Sequence, residues 1–181
     1  ALKIALEYGN DTWIGNAYAN IGNSFFNQSK FDSSLKYNQI ALPYIEKSKD
    51  IGKEILFKAN IGLIYDKLKR YDKAEEYLEW SVNEARKHKE EYALMTSLNQ
   101  LAIVLSAQKQ YADSEKANLE ALALAKKMNN LQYLGFCYLQ QAELKRIQKD
   151  VPAMKENLLN SIEVSTQLGY IGNICEAKTG L

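Results

Sequence analysis

Residues Ala59–Ala85 read ANIGLIYDKLKRYDKAEEYLEWSVNEA, and versions of this stretch recur along the 181-residue chain. In steps of 40 residues, Gly22, Gly62, Ala102 and Ala142 fall into one column, and Phe31, Tyr71, Tyr111 and Val151 into a second. Ala41, Ser81, Ala121 and Ser161 form a third, followed at once by Leu42, Val82, Leu122 and Ile162. Self-similarity at a fixed period of ~20 to 50 residues marks a solenoid, in which each unit buries its apolar face on its neighbours.

Inside each block the apolar residues follow a helical period. Ile14, Tyr18, Ile21 and Phe25 share one face of a helix expected to run to about Gln28, capped by Asp11 or Thr12. Call this an A helix. A B helix follows to about Ser48, with Asp32 as its cap and Leu35, Ala41, Leu42 and Ile45 inward; Pro43 predicts a kink, because proline removes a helical hydrogen bond. Asp50 opens the second A helix, to about Leu68, and Asp72 with Glu75 has the spacing of a capping box for a B helix ending near His88. Later pairs are expected at 92–108 and 112–128, then 132–148 and 152–168. The predicted fold is all-α: a right-handed α-solenoid of antiparallel helix pairs forming one repeat domain over 1–181. Its parts are a partial B helix at 1–10, full repeats at 11–50, 51–90, 91–130 and 131–170, and a partial A helix at 171–181. Because it begins and stops within a repeat, the chain is expected to belong to a longer protein.

The small-residue column has a steric purpose. Where A and B helices of one repeat cross, the missing side chain lets the backbones approach toward ~8 Å, with Ser34, Ala74 and Ser114 as the matching surface. A large residue at Gly62 should overpack that contact and cost ~1 to 3 kcal/mol.

Composition narrows the function. The 23 basic and 22 acidic residues leave a net charge of +1, so no global field attracts nucleic acid or an acidic membrane. Basic clusters such as Arg86, Lys87 and Lys89 sit at helix ends, where cations oppose the helix dipole. No run of ~18 apolar residues spans a membrane, and no secretory leader is visible. A cytoplasmic location is expected, with an extracytoplasmic sensor domain as the alternative. Cys137 and Cys175 lie on helices expected to be neighbours; each reads as a small buried hydrophobe, and a disulfide would need their Cα atoms within ~7 Å.

These columns resemble the tetratricopeptide repeat, whose motif has a small residue at its eighth position, an aromatic at its eleventh, an aromatic in the A-to-B turn and small residues further on. The second repeat matches best, with Gly62, Tyr65, Tyr71, Ala74 and Ser81; the first follows with Gly22, Phe25, Phe31, Ser34 and Ala41, and the third with Ala102, Leu105, Tyr111, Ser114 and Ala121. The fourth is weakest, because Gln141, Lys145 and Met154 replace apolar, aromatic and small residues. The usual repeat has about 34 residues; the longer repeats here resemble those of bacterial regulators, including peptide-sensing proteins and domains attached to sensor kinases or DNA-binding domains.

The resemblance implies that the A helices line a concave groove. Its sixth-position column is Asn20, Asn60, Gln100 and Gln140, four carboxamides at one register. A primary amide both donates and accepts, so it can bond the peptide unit of an extended segment without reading its side chain. With helices ~8 to 10 Å apart and an extended chain advancing ~3.3 Å per residue, one amide meets about every third ligand residue. The structural alternative is that these amides bond one another or helix backbone. Asn16, Asn23, Asn27, Leu63, Asn99 and Glu143 complete the implied peptide-binding set. The family's clamp for a C-terminal carboxylate needs a lysine at the fifth position, whereas that column is Ala19, Ala59, Asn99 and Leu139. That activity is not carried over.

Catalysis finds no support. His88, the single histidine, has no metal-ligand spacing around it, and no phosphate loop, CxxC pair or nucleophile motif is present. The expectation is a non-enzymatic scaffold with no cofactor or metal, binding a protein or peptide segment and not nucleic acid or membrane, with self-association through its uncapped ends. The alternative is a sensory repeat domain of a transcription regulator or sensor kinase that binds a peptide or small effector.

Overall fold

The computed structural model describes residues 2–169. They form nine α-helices and no strand: α1 (Leu2–Tyr8), α2 (Asp11–Asn27), α3 (Phe31–Lys47), α4 (Ile51–Lys67), α5 (Tyr71–His88), α6 (Glu91–Ala107), α7 (Tyr111–Lys127), α8 (Leu131–Ile147) and α9 (Val151–Leu168). The fold is the expected all-α array of helical repeats. Even-numbered helices are A helices and odd-numbered ones are B helices, with boundaries within a residue or two of the periodicity. The expected partial A helix at 171–181, and with it Cys175, lies outside the described residues.

Packing divides the chain into two compact units, one up to Ala93 and one from Leu94 on. In the first, α1 packs on α2, α2 on α3, α3 on α4 and α4 on α5. Ile45, Ile55, Ile61 and Leu78 are fully buried there. Each contributes ~1.5 to 3 kcal/mol on the usual scale of apolar burial. A column of rings lies between α2 and α3: Tyr44 meets Tyr18 at 6.4 Å, Tyr18 meets Tyr37 at 6.5 Å, and Tyr37 meets Phe25 at 5.3 Å. Forty residues on, Tyr65 and Tyr77 repeat the Phe25–Tyr37 contact at 5.5 Å. In the second unit α7 packs on α8 and α8 on α9, with Leu144, Met95 and Val104 fully buried.

The small-residue column works as its spacing implies. A Cβ on Gly62 would come within 2.8 Å of Leu78 Cγ and 3.2 Å of the Ala74 carbonyl, so α4 and α5 touch through it. Buried serines add a latch. Ser81 Oγ donates to the Ile55 carbonyl at 3.2 Å, and Ser161 Oγ does the same to Gly135, 80 residues later, also at 3.2 Å.

The turns correct several expectations. Side-chain caps begin α2, α4, α8 and α9, from Asn10, Asp50, Asn130 and Asp150, so neither Asp11 nor Thr12 caps α2. Lys30 and Arg70 occupy the N-cap positions of α3 and α5 with no side-chain cap; Asp32 and Asp72 sit two residues later, in the first turn of each helix, where they favour the positive end of the dipole. The sequence signal misplaced those caps because the residue that stops each helix is not a glycine. Gly9, Ser29, Lys49, Lys69, Lys89, Lys109, Asn129, Lys149 and Gly169 all have φ between 49° and 65°, one left-handed residue every 20 positions. After each A helix the next amide closes back: Lys30 N–H to the Phe25 carbonyl, Arg70 to Tyr65, Gln110 to Leu105 and Asp150 to Lys145, at 2.8 to 2.9 Å. This is the bonding of a Schellman turn, usually made by glycine. Pro43 lies inside α3, which continues through it as one α-helix.

Candidate ligand-facing surface of the A helices

In the first unit the A helices expose their amides. Asn20 and Asn60 are both exposed, Asn16 is half-buried, and Asn23 and Asn27 are exposed toward the end of α2. Two cavities open beside them. The smaller, of about 290 Å³, lies between α1 and α2, with Ile4, Ala5 and Trp13 beside Asn16, Ala17 and Asn20. The larger, of about 550 Å³, has Lys53, Leu56, Phe57 and Asn60 of α4 on one side. Asp50, Gly52, Glu90, Tyr92 and Ala93 complete its wall. Trp13, Asn16, Ala17 and Asn20 stand 40 positions before Lys53, Leu56, Phe57 and Asn60, so the same four register positions line both. Leu63 is half-buried further along α4 and lines neither.

Sequence reasoning found the amides but missed their companions. Asp50 caps α4 by accepting the Lys53 N–H at 3.1 Å, which fixes its carboxylate at the mouth of the larger cavity. Gly52 keeps that mouth open, since a Cβ there would lie 3.4 Å from the Glu90 carboxyl group. The α5–α6 turn brings Glu90 and Tyr92 across from α4. The signal that could have found them is the glycine two residues after a cap, in a chain whose helix stops are mostly lysine.

In the second unit the amides are less open. Gln100 and Gln140 are half-buried, and Gln100 Oε1 and Gln140 Nε2 are buried with no hydrogen-bond partner among the described residues. One is an acceptor and the other a donor. Native structures rarely leave such atoms unpaired. Asn99, by contrast, is turned into the packing, 5% exposed, with its Nδ2 at 3.7 Å from Cys137 Sγ. Glu143 faces Arg146 through two contacts of 2.6 and 2.7 Å. Burial pushes the Cys137 thiol up to about 12, against a small opposing effect of the Asn99 amide, so it stays a protonated packing group.

The weak fourth repeat has a partner in the third. Gln141 is 6% exposed and accepts from Asn118 Nδ2 at 2.9 Å. Its own Nε2 donates to Glu115 Oε1 at 2.9 Å. Glu115 also accepts from Lys145 Nζ at 2.6 Å and Gln148 Nε2 at 3.0 Å. The two substitutions that weaken the motif, Gln141 and Lys145, therefore belong to one polar joint between α7 and α8.

His88 ends α5 with its Nε2 3.3 Å from Glu84 Oε2, and among the described residues no three His, Cys, Asp or Glu side chains gather as metal ligands. No helix of the described residues is long and apolar enough to cross a membrane.

Residues 54–127 match the family model described as tetratricopeptide repeat. No curated protein sequence matches the chain. Among solved structures the fold is similar to that of aspartyl phosphate phosphatase F from Bacillus subtilis, with a TM-score of 0.83 at 15% identity over 92% of this chain. The chain spans 44% of the length of that phosphatase. It is also similar to BtubC (BKLC) from P. vanneervenii, with a TM-score of 0.77 at 14% identity, covering 99% of this chain and 82% of that one. A putative kinesin light chain from Podosopora anserina, with nearly identical TPR-like repeats, gives 0.59 at 10% identity over 94% and 95% of the two chains. At such identities the likeness is one of fold. The matched stretch shares its small and aromatic columns with the repeats on either side of it, and the family model together with the TPR-like repeat neighbours supports a tetratricopeptide-repeat assignment.

Proposed function

We propose that the chain is a non-catalytic interaction scaffold whose A-helix faces hold an extended protein or peptide segment by its backbone. The observation that carries this reading is the pair of buried amide atoms, Gln100 Oε1 and Gln140 Nε2, that have no partner among the described residues, at the register where Asn20 and Asn60 are exposed. A peptide unit offers one N–H and one C=O, the complements of that acceptor and that donor. Each such contact is worth a net ~0.5 to 1.5 kcal/mol, so the two amides of either unit give an anchor of modest strength. The cavities beside Asn20 and Asn60 then supply specificity by taking side chains.

The test is affinity capture from the source cell's lysate with the wild-type chain and a variant carrying Asn20→Ala, Asn60→Ala, Gln100→Ala and Gln140→Ala, its fold checked by circular dichroism. Partners lost from the variant support the reading. Partners retained in full move the interface elsewhere and leave the amides structural.

A second reading is favoured by the polar joint: binding of a peptide or small effector alters the packing of α7 on α8 and so acts as a signal. Effector-dependent compaction in small-angle scattering distinguishes it from a scaffold that binds without changing shape. Self-association through α1, which leaves Ile4, Leu6 and Tyr8 exposed, is the remaining interaction proposed. A monomer mass constant across concentration argues against it.

A further inference from the structure

The larger cavity of the first unit carries a charge pattern that the amide column does not explain. Its floor is Phe57 and Leu56, with Tyr92 on the rim, 46% exposed. Glu90 is half-buried at the opposite wall, and its carboxylate has no hydrogen bond or ion pair with any described residue. Asp50 adds a second carboxylate, with one oxygen engaged by the Lys53 N–H. Lys53 is the one cation among the lining residues, leaving the wall with an excess of one negative charge. Gly52 preserves the space in front of Glu90, where any larger side chain would stand against the carboxyl group.

Three kinds of ligand side chain can be weighed against this wall. An acidic one meets two carboxylates. A purely apolar one covers Glu90 and leaves it without a donor, which is costly for a charged group. A basic one supplies both charge and donors, and a guanidinium also lays a flat face against an aromatic ring while its edge bonds a carboxylate. The register-equivalent cavity at α1 and α2 is lined by Trp13, Ala17 and Asn20 with no charged residue, so the charge distinguishes the larger cavity from the smaller.

We infer that this cavity seats the basic side chain of a bound protein segment, arginine in preference to lysine, between the Glu90 carboxylate and the Tyr92 and Phe57 rings. The inference rests on the segment-binding reading above and adds the chemistry of its ligand. Lys53, on the same wall, is placed to donate to a carbonyl of that segment.

The experiment is an amide-resolved NMR titration of the whole chain with three probes: N-acetyl-arginine, N-acetyl-norleucine and N-acetyl-glutamate, each as its methylamide. The expected result is movement of the Gly52, Asn60 and Ala93 signals by the arginine probe at concentrations at least five-fold lower than by the other two. Glu90→Gln should abolish that advantage and leave the norleucine response unchanged, and added salt should reduce it. Norleucine equal to or better than arginine overturns the basic seat while leaving an apolar anchor and the segment reading intact. No response to any probe overturns the seat outright; capture lost on Asn60→Ala would then still uphold the segment reading, and capture unaffected would end both.

Discussion

Shift the numbering by 80 and the joint between α3 and α4 lies over the joint between α7 and α8. At four facing positions the first has Leu35, Ile61, Tyr65 and Leu68, and the second has Glu115, Gln141, Lys145 and Gln148. One joint is mainly apolar: Leu35, Ile61 and Tyr65 are buried, and the Tyr65 hydroxyl at its edge accepts from Gln39 Nε2 at 3.4 Å. In the other, every polar group of the set bonds another member of it. Between them runs a residue common to both, Asn38 or Asn118, fully buried in each. Asn118 reaches across the joint to Gln141 and the Cys137 carbonyl, whereas Asn38 faces the register of Ile61 and bonds back to the Ser34 carbonyl of its own helix at 2.9 Å. The backbone register tolerates either solution where the buried polar groups find partners. A lone swap leaves buried polarity without partners.

Breaking the set singly is expected to have the largest effect. Glu115→Leu removes the acceptor shared by Lys145, Gln141 and Gln148 and should cost about 2 kcal/mol, in the range for hydrogen bonds to a charged group. The fourfold replacement Glu115→Leu, Gln141→Ile, Lys145→Tyr and Gln148→Leu should recover most of that loss. Urea unfolding of both variants checks it, and a fourfold variant weaker than the single one would show that the two joints differ in backbone as well as side chains.

The shared asparagine gives the next contrast. Asn38→Leu copies the Gly62–Leu78 contact onto Gly22 and deletes a buried Oδ1 that has no partner, so it should be neutral or stabilising by up to ~1 kcal/mol. Asn118→Leu strips Gln141 of its donor and should destabilise by about 1 to 2 kcal/mol. Opposite signs in the same denaturation assay uphold the comparison; equal signs refute it.

Acid should separate the joints more gently. The hydrogen bond from Lys145 holds the Glu115 carboxyl below its ordinary 4.5, outweighing partial burial, with Gln148 and Gln141 assisting. A carboxyl depressed in the folded state contributes stability above its unfolded value and loses it as the pH falls through the folded one. Below about 4.5 the α7–α8 joint should therefore loosen, with its amide-exchange protection falling before that of α3–α4. Glu115→Gln should flatten this dependence.

The smallest effect concerns what the two regions share. Lys69→Gly and Lys149→Gly each relieve a left-handed lysine, and each should stabilise by about 0.5 to 1 kcal/mol after the extra chain entropy of glycine is counted. Equal gains in thermal unfolding would show the turns to be interchangeable.

Periodicity made most of the fold readable, because a helix that buries one face must repeat its apolar residues at helical spacing. The turns were harder to read, since lysines at 49, 69, 89, 109 and 149 occupy a conformation that sequence patterns assign to glycine. Among the functional candidates, the amide column was visible at one register, but the burial of Asn99 was not: its neighbour Cys137 lies 38 residues away. Glu90 reaches the α4 cavity only through the turn between α5 and α6, and no spacing along the chain announces that meeting.

The left-handed residue at every twentieth position also serves as a ruler for inheritance. Excising 20 residues would rejoin one turn to its like and leave the backbone intact, yet it would set a B helix's side chains where an A helix belongs. Removing 40 restores both backbone and face. Lengthening or shortening such a chain is thus licensed by two counts at once, with the turns accepting every twentieth residue and the side chains vetoing every other one. The 80-residue correspondence of Ser34 with Ser114 and Asn38 with Asn118 is the pattern that copying two such blocks together would leave.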